Sequence, residues 1–177
     1  FTTAPALVVL NGFTSKSNDS QHKNAQGEFL WVSGNPSYSN AKNYGIYIGG
    51  AMPGFWDVYK EHGQGEGYTT YDRNNGQLFD QQLAAAKNAG LSWLQITTWN
   101  DYGEGTTIEP TKEYGYQYLV ALQKFTGVGC TQSQLELIYR WYKLRKAKPS
   151  NTQVKQAYDY LNAMQPDKAE TIIKSLE

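Results

Sequence analysis

The sequence is poor in the residues that hold metals or cross-links. Its 177 residues include one cysteine, Cys130, so no intrachain disulfide can form and a zinc site built on several thiolates is excluded. Two histidines, His22 and His62, are too few for a histidine-rich metal cage. No apolar run approaches the roughly 20 residues of a membrane-spanning helix, so membrane insertion is not expected. Excess charge is missing too. Lys and Arg number 16 and Asp and Glu number 16, a formal net charge of zero. Nothing therefore draws the chain broadly to nucleic acid or to an anionic membrane.

Aromatic residues are plentiful at 14%, with 14 Tyr and 5 Trp. Flat rings beside polar groups suit sugar rings, and they suit ordinary cores as well. The length allows one domain, or one domain with a small appendage. Phe1–Pro5 has neither a basic stretch nor a long apolar one and is not a signal peptide. It runs straight into the apolar Ala6–Leu10. The expectation is a chain that starts part-way through a larger protein, the alternative being a mature terminus left by processing.

Four segments read as strands: Ala6–Leu10, Phe29–Ser33, Tyr44–Gly49 and Ser92–Thr98. Each is a nearly continuous apolar or β-branched run, the pattern of parallel strands covered on both faces. Leu78–Gly90 reads as a helix with Gly90 as its stop. Strand, helix, strand is the βα unit of an α/β fold. Tyr114, Tyr118, Leu122 and Phe125 then repeat at helical spacing, and that helix should pack on the sheet. Gly63–Gly67 reads as a plain loop, since it lacks the Lys and Ser/Thr of a phosphate loop.

From Cys130 the character changes. Three stripes at i, i+3, i+4, i+7 mark three helices: Leu135/Ile138/Tyr139/Tyr142, Val154/Ala157/Tyr158/Leu161 and Ala169/Ile172/Ile173/Leu176. Ser150 or Asn151 can cap the second helix, and Asp167 sits in the first turn of the third. The division expected is 1–129 for the α/β part and 130–177 for a helical appendage. Arg140, Lys143, Arg145, Lys146 and Lys148 form a basic cluster. It reads as a solvated helix face with cations near the C-terminal end, or as a patch for phosphate or an acidic partner.

The most informative stretch is Trp99-Asn100-Asp101-Tyr102-Gly103-Glu104-Gly105, directly after the last strand. Two carboxylates lie three residues apart with a glycine between them. Two carboxylates at one place suit glycosidic cleavage. One, protonated, gives its proton to the leaving oxygen. The other, ionised, activates water or a sugar hydroxyl or attacks carbon. The same residues also suit a polar turn in which Asp101 and Glu104 only cap the next helix or bond at the surface. Spacing alone leaves both readings open.

Trp99–Glu104 resembles the strand-end signature of glycoside hydrolase family 71, the α-1,3-glucanases. Its continuation Glu104-Gly105-Thr106-Thr107-Ile108-Glu109-Pro110 is similar to family 99, the endo-acting α-mannosidases and α-mannanases. Met52–Asp57 resembles another strand-end stretch of these families. The resemblance covers about residues 1–126. It implies the C-terminal half of a TIM (β/α)8 barrel, about four parallel strands, followed by the small all-α appendage. It also implies a glycoside hydrolase with an α-linked polysaccharide or glycan as substrate, α-mannan or α-1,3-glucan in type. By position it makes Asp101 the base and Glu104 the general acid. Family 99 has Glu at the position of Asp101, whereas family 71 has Asp. The resemblance further implies an extracellular or periplasmic location, and the two-carboxylate chemistry needs no metal or cofactor.

The substrate-binding candidates are Trp99, Asn100, Tyr102, Trp56, Asp57 and Glu109. Trp99 and Tyr102 offer faces for a sugar ring, and Trp56 and Asp57 follow Pro53-Gly54 at a strand end. Asn100 can bond a hydroxyl or orient Asp101, and Glu109 can pair with a hydroxyl or support the loop. Trp31 faces either the site or the barrel interior, and His62 reads as solvated. Asp72–Gly76 is similar in part to a calcium loop, but its glycine comes one position early and the terminal Glu is missing. Asn18-Asp19-Ser20 fits a glycosylation sequon. A full barrel takes roughly 250 residues, so the missing N-terminal half or a second copy of the chain is expected to complete it. Two other readings compete: a non-catalytic carbohydrate-binding protein of this fold, and a structural or interaction module.

Overall fold

The computed structural model describes residues 8–11 by backbone alone, and residues 26–31, 33–39, 41–65 and 67–177 in full. The segment Phe1–Leu7, the sequon at Asn18 and His22 lie outside the described residues. By backbone contacts the chain divides into two compact units, Phe1–Tyr118 and Leu119–Glu177. The composition change expected at residue 130 lies inside the second.

The first unit is a parallel sheet with helices. Strands β1 (Val8–Asn11), β2 (Gly27–Leu30), β3 (Ile46–Ala51) and β4 (Trp93–Ile96) lie side by side in chain order. Leu10 pairs with Phe29, Phe29 with Ile48, and Ile48 with Trp93. Successive parallel strands placed next to one another are the arrangement found in βα barrels. Among the described residues, the connection from β2 to β3 holds a 3-10 turn at Ala41–Asn43. The connection from β3 to β4 holds α1 (Val58–Glu61) and α2 (Gln77–Asn88), the βα unit expected from sequence.

Helix α2 buries one stripe, Phe79, Gln82, Leu83 and Ala86, as its spacing dictates. Burying the Phe79 ring completely contributes roughly 1.5–3 kcal/mol. Gln82 is the polar exception, and its amide is fully used. Its Oε1 accepts from the Met52 amide at 2.9 Å, and its Nε2 donates to the Ser33 carbonyl at 2.8 Å. One side chain thus pins the chain leaving β2 and the chain leaving β3 to the same helix.

Full cover on both sheet faces is not what β4 shows. None of its four residues is buried, and Trp93 is 64% exposed. In β3, Tyr47 and Gly49 are buried while Ile46 and Ile48 are half-buried. Side chains alternate between faces along a strand. One face is therefore well packed, and the described residues cover the other only in part.

In the second unit α4 (Gln132–Ala147), α5 (Thr152–Asn162) and α6 (Pro166–Leu176) share a core of Leu137, Leu144, Val154, Ala157, Ala169 and Ile173. The stripes expected in α5 and α6 supply their part of it. The stripe expected in α4 does not, because Ile138, Tyr139 and Tyr142 are exposed. The helix turns Leu137, Trp141 and Leu144 inward instead, with the Trp141 indole donating to the Val154 carbonyl at 2.9 Å. Two faces of α4 are apolar enough to be the core, and periodicity alone does not choose between them.

Capping follows the sequence closely. Thr131 and Gln134 form a reciprocal capping box on α4, Asn151 caps α5, and Pro166 opens α6. The basic cluster is used internally. Arg140 pairs with Glu177 and Glu170, and Lys148 donates to the Leu176 carbonyl. Lys143, Arg145 and Lys146 lie over Tyr139, Trp141 and Tyr142. No helix among the described residues is long and apolar enough to cross a membrane.

Candidate functional site

At the C-terminal end of β4 the chain folds into a closed turn. The Thr97 amide still reaches the Ala51 carbonyl of β3, at 2.9 Å. The Thr98 amide then donates across the turn to the Thr106 carbonyl at 2.9 Å, and the two threonine hydroxyls meet at 2.8 Å. Within the turn the Asp101 amide donates to Thr98 Oγ1 at 3.1 Å. The Glu104 amide donates to Asp101 Oδ1 at 2.9 Å. Short oxygen-bearing side chains bonding nearby amides are what let so polar a segment close on itself. Gly105 sits at φ +62, where a side chain would be strained.

The turn is docked on the segment that follows β3. The Trp56 amide donates to the Glu104 carbonyl at 2.8 Å, and the Val58 amide to the Gly103 carbonyl at 3.3 Å. Two strand ends therefore meet at the carboxyl edge of the sheet, the edge at which barrel enzymes place their chemistry. Asp57 lies here, only 5% exposed. Its Oδ1 caps α1 by accepting from the Tyr59 and Lys60 amides at 3.0 and 3.3 Å. Its Oδ2 is buried and has no hydrogen-bond partner among the described residues.

These neighbours set the acidity of Glu104. Partial burial first, then the charge of Asp101, then that of Asp57 push its carboxyl above the ordinary carboxylate range. Burial and like charges both favour the neutral form. Asp101 is exposed. Three carboxylates thus gather at the turn, one of them biased toward holding its proton.

The other expected site residues are spread around this centre. Trp99, Asn100, Tyr102 and Trp56 are exposed, and Glu109 is half-buried. The Trp99 carbonyl accepts from the Ile108 and Glu109 amides and so closes the base of the turn. Trp56 and Tyr102 line a cleft of about 450 Å³ together with Phe55, Tyr71, Arg73 and Tyr114. Asp101 and Glu104 are not part of its lining.

Arg73 is the residue that sequence reasoning missed. Its guanidinium donates to the Gly105 carbonyl at 2.6 Å and to the Thr107 carbonyl at 3.1 Å, and lies 4.2 Å from the Tyr114 ring centroid. It holds the far limb of the turn after β4 from 32 positions away. A single Arg in a polar loop carries no signal of such a role. The calcium-like segment around it is a tight turn, in which Asp72 Oδ1 accepts from the Asn74 amide at 2.6 Å. Among the described residues no group of three or more His, Cys, Asp or Glu side chains is placed to hold a metal ion.

No curated protein matches the chain. Two solved structures of the family 99 endo-α-mannosidase from Bacteroides thetaiotaomicron are similar to it. One, in complex with bis-tris propane, has a TM-score of 0.53 and 22% identity over 70% of this chain and 48% of its own. The other has a TM-score of 0.54 and 21% identity over 72% and 46%. The fold is therefore related to that of family 99 glycosidases, and the chain spans about half the length of those structures. A family model described as Domain of unknown function (DUF5010) matches residues 1–156, and the chain belongs to that family.

Proposed function

We propose that the chain carries the acid pair of a glycoside hydrolase acting on an α-linked glycan, of α-mannan or α-1,3-glucan type. Glu104 is the general acid at the glycosidic oxygen, and Asp101 is the base. The observation that carries this assignment is the raised pKa of Glu104, beside an exposed Asp101, at the carboxyl edge of a parallel sheet. A proton donor must keep its proton near neutral pH while its partner stays ionised. The fold relationship to family 99 supports the reading. The Asp at 101, where that family has Glu, keeps the family 71 kinship open within it.

In this reading residues 1–129 are one part of a (β/α)8 barrel and residues 130–177 an appendage. The remaining strands come from a preceding segment or a second copy, and the site faces an extracellular or periplasmic space. Trp99, Asn100, Tyr102, Trp56 and Glu109 contact the substrate. Asp57 acts from beneath through its charge on Glu104. One observation favours a second reading, a carbohydrate-binding protein without catalysis: Asp101 Oδ1 is already occupied by the Glu104 amide.

The test is hydrolysis of α-mannan, α-1,3-glucan and an α-1,4-glucan by the complete protein, beside Asp101→Asn and Glu104→Gln variants. Cleavage that both folded variants lose supports the enzyme. Sugar binding without cleavage by any form supports the second reading.

A further inference from the structure

Helix α4 is apolar on two opposite sides, and its own three-helix core takes only one of them. Leu137, Trp141 and Leu144 pack into the core shared with α5 and α6. On the other side Leu135, Ile138, Tyr139 and Tyr142 repeat at i, i+3, i+4 and i+7, and Lys143, Arg145 and Lys146 follow them. Ile138 is 57% exposed and Tyr139 58%. Tyr142 and the three cations are exposed as well. From Leu135 to Lys146 the face runs about 16 Å, three helical turns. A surface helix ordinarily keeps that side polar. An apolar stripe with anchors at this spacing is the form of a helix-docking face.

The charge of the face is not neutralised within the fold. Helix α4 carries Arg140, Lys143, Arg145 and Lys146 against a single acid, Glu136. Arg140 is paired with Glu177 and Glu170, and Glu136 accepts from Gln132 Nε2 at 2.9 Å. Among the described residues no ion pair reaches Lys143, Arg145 or Lys146. Lys143 and Lys146 lie over Tyr139 and Tyr142, at 5.0 and 5.5 Å from the ring centroids. An ammonium over a ring keeps N–H groups for an anion. A second copy of the chain would bring the same excess of cations. A lipid surface is uniform along the helix axis, whereas this face is apolar first and basic after.

We propose that this face of α4 binds a helix of another protein, apolar along one stripe and acidic toward one end. The partner's apolar side chains cover Leu135, Ile138, Tyr139 and Tyr142, and its carboxylates meet Lys143, Arg145 and Lys146. The inference does not depend on the glycosidase reading.

The test is titration of the full chain with a labelled peptide of about 20 residues, long enough to form a helix in water. The peptide carries a leucine stripe at helical spacing and Glu in its last two turns. Its counterpart with Lys for each Glu is the control. Fluorescence anisotropy gives affinity, and amide NMR shifts give the place. The acidic peptide is expected to bind with shifts centred on α4, and the basic one at least about tenfold more weakly. Tyr142→Ser, and Lys143→Glu combined with Lys146→Glu, are each expected to weaken binding of the acidic peptide at least about fivefold at unchanged melting temperature. The charge-reversed variant is expected to prefer the basic peptide. The proposal is overturned if the acidic peptide does not bind, if the basic peptide binds equally well, or if both variants bind as wild type does. Dimerisation of the chain that Tyr142→Ser abolishes overturns it in favour of a second copy. Sedimentation with phosphatidylglycerol vesicles, lost in the charge-reversed variant, overturns it in favour of a membrane.

Discussion

The backbone amide of Glu104 donates to Oδ1 of Asp101 at 2.9 Å, so one acid of the proposed pair holds the turn that carries the other. In the proposed reading one side chain has both a structural and a chemical duty, and Oδ1 serves the structural one. This arrangement makes the consequences of substitution separable.

Asp101→Asn keeps an oxygen where Oδ1 stands and removes the charge. The turn should survive, with a melting temperature within a few degrees of wild type. Cleavage should fall by at least about 100-fold. Asp101→Ala loses the bond as well and should cost about 1 kcal/mol, the scale of a lost side-chain cap. Thermal unfolding beside a cleavage assay separates the two effects. Equal destabilisation by Asn and Ala would show that Oδ1 does not hold the turn.

The raised pKa of Glu104 makes stability depend on pH with a definite sign. Below the unfolded value of about 4.5 both states are protonated and Glu104 contributes nothing. As pH rises from there through the higher folded value, only the unfolded state ionises freely, so stability is lost. Glu104→Gln should therefore melt higher than wild type at pH 7 and equally at pH 4. In the enzyme, the alkaline limb of the pH–rate profile should report Glu104. A variant that is less stable at pH 7 would contradict the burial of the charge.

Arg73 joins the loop before α2 to the turn after β4. Arg73→Lys keeps the charge but cannot reach two carbonyls as a fork or lie flat on Tyr114. A loss of about 2–3 kcal/mol is expected in urea unfolding, from one or two charge-assisted hydrogen bonds and a cation–π contact. An unchanged midpoint would show that the turn holds itself.

The register of α4 is open to a direct comparison. Leu137 is fully buried, and Leu137→Ala should cost about 2–4 kcal/mol. Tyr139 is exposed, and Tyr139→Ser should stay within about 1 kcal/mol, since it loses only surface ring and cation contacts. The opposite ranking by circular dichroism would restore the stripe that periodicity suggests.

Local chemistry determined much of this protein from the sequence alone. Strand runs, the Gly90 stop, the Asn151 cap and Pro166 at the start of α6 are short-range effects, set by backbone angles and neighbouring side chains. That Asp101 and Glu104 share one turn was legible for the same reason, because the two residues are three apart with glycines at 103 and 105. Relationships between segments distant in sequence were not legible. The core face of α4 depends on what α5 and α6 present to it, and both of its faces satisfy the same spacing. Asp57 read as a residue of the cleft, yet it caps α1 from a buried position, because the turn after β4 closes over the segment it begins. Arg73 read as part of a polar loop, yet it spans 32 positions to the Gly105 carbonyl. The cleft likewise draws its walls from the segment after β3, the loop before α2 and the turn before the helix Gln117–Thr126. Only packing brings those pieces together, and the acidity of Glu104 is set there, by the burial and the charges that the assembled strand ends impose.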